Sequence, residues 1–223
     1  MLNALLTRLG LRPEMPSPTG PSPPVPAGRD DPAALAAFLR RRAAFVAQKT
    51  VLDYVRVKAR LDEARLLGDP DFAAALRHCR WSVFLGSAAD HAALAEAWLR
   101  PHLPPPTSRG AEDALGAALA RMAADAIAAE GPPEEEREAA RAAADGVAGH
   151  LAGLRLGPPR PAHRLPLLAE APLLATIPVA PEQRVGESEA IRGALRFHTV
   201  SSQQEMERAF DPAPLAARLA SGD

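Results

Sequence analysis

Apolar side chains recur along this chain at three- and four-residue intervals, in blocks cut apart by proline and glycine. This is the periodicity of amphipathic helices, not of strands. Leu2, Leu5, Leu6 and Leu9 fall at i, i+3, i+4 and i+7 and predict a short amphipathic helix over residues 1–10, ended by Gly10. A helix of about ten residues is marginal alone in water, so this segment needs a surface to lie on. Pro13, Pro16, Pro18, Pro21, Pro23, Pro24 and Pro26 follow, mixed with Ser and Gly, and residues 11–30 read as a flexible, polyproline-like linker. Three fates stay open for the leucine face: a disordered leader, docking on the chain's own core, or contact with a partner or a membrane surface.

Asp31-Pro32 is an N-cap followed by a proline at the first helical position, and no Pro or Gly interrupts the run from there to Leu67. Leu35, Phe38, Leu39, Val46, Leu52, Val55 and Ala59 approximate one apolar stripe on a helix of about 54 Å at ~1.5 Å per residue. Gly68 stops it, and Asp69-Pro70 repeats the start signal for a second helix reaching about Arg100. Phe72, Leu76, Cys79, Val83 and Phe84 form its buried side. The short link predicts a helical hairpin. Leu115, Leu119, Met122 and Ile127 mark a third helix ended by Gly131-Pro132-Pro133. A fourth starts at Glu134, Glu135 and Glu136 and turns Val147, Leu151 and Leu154 inward. The proline-rich segment 158–181 admits only short helical turns packed on the bundle. Residues 182–221 return to helix with Ile191, Leu195, Val200, Met206, Phe210, Leu215 and Leu219. The expected fold is therefore an all-α multi-helix bundle, built on a long N-terminal helical hairpin, with residues 31–157 and 182–221 in one domain.

Composition sharpens this picture. Aromatic residues are only 4% of the chain while the hydrophobic class is 47%, so the core must be built from Ala and Leu, which suits closely packed helices. The single cysteine, Cys79, excludes an intrachain disulfide and points to a reducing, cytoplasmic setting. No apolar stretch is long enough to span a bilayer, and residues 1–12 lack the basic and long apolar regions of an export signal. Net charge is -1, but residues 1–110 carry +5 and residues 111–223 carry -6.

Candidate chemistry is sparse. Within Gly86-Ser87-Ala88-Ala89-Asp90-His91, Ser87 and His91 lie one helical turn apart and make a small-ester hydrolase the alternative activity. A G-x-S-x-G elbow is missing, however, and a mid-helix site has no spare backbone amides for an oxyanion. The plain reading is a helix surface whose small residues allow close packing. His78 and Cys79 point about 100° apart on a helix, the other histidines follow no ligand spacing, and no phosphate-binding glycine motif occurs, so neither metal nor cofactor is expected. Glu134, Glu135, Glu136 and Glu138 read as a solvated face.

The first long helix is the remaining candidate. Arg40, Arg41, Arg42, Lys49, Arg56, Lys58, Arg60 and Arg65 face only Asp53, Asp62 and Glu63. Such a face attracts an acidic protein partner or a phosphate backbone, or is neutralised by the acidic second half. The preference for Arg over Lys throughout the chain has the look of GC-rich coding and argues against nucleic acid. Candidate partner-binding residues are thus Leu2, Leu5, Leu6 and Leu9 at the N-terminus and Arg40, Arg41, Arg56 and Arg60 on the basic helix.

The runs Phe45-Val46-Ala47-Gln48-Lys49-Thr50, Tyr54-Val55-Arg56-Val57-Lys58-Ala59, Phe72 through Trp81, Ile177-Pro178 and Ala194-Leu195-Arg196-Phe197 carry one resemblance. Over roughly residues 38–100 and 160–219 the chain resembles a family of uncharacterised helical bacterial proteins from GC-rich genomes, some labelled automatically as esterases. The resemblance brings no catalytic residue with it.

Overall fold

A computed structural model describes residues 28–59, 69–105, 108–180 and 186–222. The protein is an all-α multi-helix bundle, and no strand occurs among the described residues. Its helices are α1 (Pro32–Ala59), α2 (Pro70–Leu99), α3 (Arg109–Ala129), α4 (Arg137–Arg155), α5 (Glu170–Thr176), α6 (Ser188–Ala209) and α7 (Pro212–Ser221). Residues 1–27, with the leucine face and most of the proline linker, lie outside the described residues, as does 60–68 with Arg60, Arg65 and Gly68.

The start signals work as local chemistry requires. Asp31 Oδ1 accepts the Ala33 amide at 2.9 Å, and Asp69 Oδ1 accepts those of Asp71 and Phe72 at 2.9 and 3.3 Å, satisfying amides that a helix N-terminus leaves open. Ser108 does the same for α3 through the Ala111 amide. The fourth helix begins with a 3-10 turn at Glu134–Glu136 before α4 proper.

Two apolar clusters form the core. One joins Leu35, Phe38 and Leu39 of α1 to Leu94 and Leu99 of α2, Leu115 and Leu119 of α3, and Phe210 and Leu215 near the C-terminus. The other joins Val46, Val51 and Val55 to Leu76, Cys79, Val83, Leu173, Ile177, Ile191 and Leu195. The start of α1 therefore meets the end of α2, and its later part meets the start of α2, so the two helices run in opposite directions.

In its second half α2 is buried on every side. Ser87 through Glu96 are all buried, because α1, α3, α4, α5, α6 and α7 close around α2. A helix enclosed on all faces needs small residues, and this one supplies Ala88, Ala89, Ala92, Ala93 and Ala95. Gly86 is the extreme case: a Cβ there would lie 2.6 Å from the Ala169 backbone. The expectation of a helix surface around Ser87 and His91 is thus corrected, since they stand in the centre of the bundle.

Candidate functional site

A polar group inside an all-helical core must find a partner, and the partners decide what it can do chemically. Ser87 and His91 are each 1% exposed. The His91 Nδ1 is 2.7 Å from the Ser87 carbonyl oxygen and 3.4 Å from Ser87 Oγ, while Nε2 is 3.1 Å from Ser202 Oγ of α6. A carbonyl oxygen only accepts, so Nδ1 carries the proton and donates it, while the single Ser202 hydroxyl proton has two acceptors before it, the Nε2 lone pair and the His198 carbonyl oxygen at 2.9 Å. Ser202 Oγ in turn accepts from Arg42 Nε at 3.1 Å, and Arg42 pairs with Glu205 at 3.0 Å. Burial drives the His91 pKa down to about 4. The nitrogen facing Ser87 is therefore protonated and occupied, and Ser87 has no base to receive its proton. The sequence suggested the pair; the structure brings it together as a cross-link between α1, α2 and α6.

Asp90, one residue away, is the stronger perturbation. It is 5% exposed, and its oxygens accept the Leu168 amide at 2.7 Å and the Ala169 amide at 3.1 Å. Burial pushes its carboxyl up to about 7, against the opposing pull of those amides and of Arg196. Arg196 itself donates to the carbonyls of His163 and Leu165 at 2.6 and 3.1 Å. The carboxyl oxygens of Asp90 on α2 and a guanidinium on α6 thus hold the backbone of the proline-rich segment.

Two further polar pairs escape local pattern. Glu136, assigned in the sequence to a solvated face, is buried and hydrogen-bonded to His78, a correction caused by α4 starting against α2. Glu96 and Arg100 at the end of α2 are buried 3.3 Å apart, and Arg100 also donates to the Gly157 carbonyl at 3.0 Å. Their i,i+4 spacing was the available signal, but nothing local says that such a pair is inside.

The basic face divides. Arg42 is taken by Ser202 and Glu205 and lies 4.8 Å over the Phe45 ring, and Lys49 pairs with Asp53. Arg41 is exposed and Arg56 half-buried, while Arg40 borders a narrow depression between α1, α2 and α3 whose other walls include Leu39, Ala43, Ala88 and Ala126, all buried in the core. The walls of this depression do not include Ser87 or His91. Among the described residues no three His, Cys, Asp or Glu side chains group as metal ligands, and no helix is long and apolar enough to cross a membrane. Cys79 is fully buried, its thiol raised to about 11 by burial against a hydrogen bond to Thr176.

No protein family, curated protein or solved structure matches the chain.

Proposed function

We propose that the chain is a non-catalytic helical interaction protein of the cytoplasm. Its partner is an acidic protein, bound on the outer face of α1. One observation carries this reading: Arg41 is exposed and Arg40 half-buried on α1, whereas Ser87, Asp90 and His91 are sealed in the core and bonded internally. Ala43, Ala88 and Ala126 are buried beneath this face, so the contact is made by two guanidinium groups, which select carboxylates with geometry that lysine lacks. Arg56 and Arg60 add positive charge further along the basic stretch of sequence, and Leu2, Leu5, Leu6 and Leu9 supply a second anchor, to that partner or to a membrane surface.

The pairing of Arg42 and Lys49 within the protein favours a protein partner over nucleic acid, because a phosphate backbone is bound through many unpaired cations. The buried thiol of Cys79 suits a reducing compartment. The family resemblance brings with it the rival esterase reading through Ser87 and His91.

The test compares the full chain with Arg40→Glu/Arg41→Glu. A single acidic protein captured from the host, binding the purified chain with salt-sensitive affinity and at least about tenfold more weakly to the variant, is the expected result. Equal affinity for both chains overturns the assignment of this face. Turnover of a chromogenic acyl ester that disappears in Ser87→Ala replaces the reading with a hydrolase, and sequence-independent retention on DNA replaces it with a nucleic-acid binder.

A further inference from the structure

The segment from Ala162 to Ile177 crosses the bundle as a strap. It enters from exposed Pro158, Pro159 and Pro161, forms the 3-10 turn Ala162–Arg164, and continues into α5. Leu165, Ala169, Leu173 and Ile177 are buried along it, the last three in the cluster that contains Cys79, Val83, Ile191 and Leu195. Proline denies it a continuous internal hydrogen-bond ladder, so its backbone is held from outside. Asp90 accepts the two amides that precede α5, Arg196 donates to two strap carbonyls, and Arg192 grips Glu170 at 2.7 Å.

We infer that this strap is a pH-sensitive latch: it opens locally, with the helical bundle intact, more readily as the pH rises toward neutrality, and Asp90 is the group that senses the change.

The geometry sets the direction. Asp90 is sealed between Gly86, which abuts the Ala169 backbone, and the strap itself, so strap release is the way for its carboxyl to reach water. A buried carboxyl prefers the neutral form, whereas one in water ionises with a pKa of 3.8, so the closed latch holds the proton more tightly than the open one. Burial places the closed-state value at about 7. The other charged groups around it are already engaged. Arg196 on α6 faces Asp90 but is spent on two carbonyls, Arg42 on α1 is turned to Ser202 and Glu205, and Glu170 on the strap is paired with Arg192. His91 on α2 bonds to Ser87 and Ser202 and to no strap atom, so its hydrogen bonds do not depend on the strap.

Native-state hydrogen exchange on the full chain, corrected for intrinsic rates, tests the latch between pH 5 and 8.5. The Leu168, Ala169 and Leu173 amides are expected to show an opening constant that rises almost tenfold per pH unit and levels off just above pH 7, approaching 100-fold in all. The Ala92 and Ala93 amides of α2 are expected not to follow. In Asp90→Asn the strap dependence is expected to vanish. A carboxyl-carbon NMR titration of Asp90 in the unaltered protein gives the second readout, and its midpoint must coincide with the levelling-off. A pH-independent strap, a strap and core that open together, or an Asp90 midpoint near 4 overturns the inference.

Discussion

Asp90 and His91 are neighbours on α2, and burial acts on them with opposite sign. The Asp90 carboxyl rises from 3.8 to about 7, so in global unfolding it contributes stability that is full below 3.8 and is lost as pH rises through 7. The His91 imidazole falls from 6.5 to about 4, so its contribution is full above 6.5 and is lost as pH falls through 4. Between about pH 4 and 6.5 the two slopes of ~1.4 kcal/mol per pH unit cancel. Urea denaturation across this window should therefore find little net slope from the pair. Asp90→Asn should unmask a stability that climbs by about 3 kcal/mol toward pH 6.5, and His91→Gln one that falls by a similar amount. Parallel curves for all three proteins would show that neither group is perturbed. The same reading of His91 bears on the hydrolase alternative. With Nδ1–H committed to the Ser87 carbonyl, Ser87→Ala should leave ester hydrolysis at background, checked with a chromogenic acyl substrate, whereas His91→Ala should destabilise by about 3 kcal/mol, chiefly through the cavity it leaves in the core.

At the level of the element, glycine discriminates between a helix that touches its neighbour and one that does not. Gly86 lies against the strap backbone, with no flexible side chain to move aside, so Gly86→Ala should cost about 2–3 kcal/mol and loosen α5. Gly146 on α4 meets nothing within 4 Å, so Gly146→Ala should stabilise by about 0.5–1 kcal/mol through helix propensity alone. Denaturant midpoints of the two variants should move in opposite directions, and movement in the same direction would contradict the packing described. This contrast also marks what the sequence makes legible. Asp31-Pro32 and Asp69-Pro70 announce their helices because a cap acts within three residues, and the apolar stripes of α1 and α3 are equally local. The fully enclosed half of α2 is less legible, since an alanine-rich run looks the same on an outer face as between six neighbours. The grip of Asp90 on Leu168 and Ala169, and of His91 on Ser202, joins residues 78 to 111 positions apart, and no periodicity encodes a pairing of that span.

For the whole molecule, the two ends of the described chain meet. Arg29 pairs with Asp211 at 3.0 Å, its carbonyl accepts the Asp211 amide at 2.8 Å, and Arg218 reaches Asp30 at 3.2 Å. These contacts tie the start of α1 to α7. Removal of 1–27 is expected to shift Tm by less than about 2 °C, because the closing contacts lie C-terminal to the cut and are exposed pairs of small energy. The four leucines of residues 2–9 are a different matter. Once docked they bury about 1.5–3 kcal/mol each, which after ordering costs is a useful anchor on a partner or a membrane surface. Leu5→Asp with Leu9→Asp should therefore leave Tm and helix content unchanged while reducing recruitment in fractionation and pull-down. If recruitment is unchanged, the leucine face has no docking role and binding falls to Arg40 and Arg41 alone; if Tm drops by several degrees instead, the segment packs on its own bundle and the anchor reading is lost.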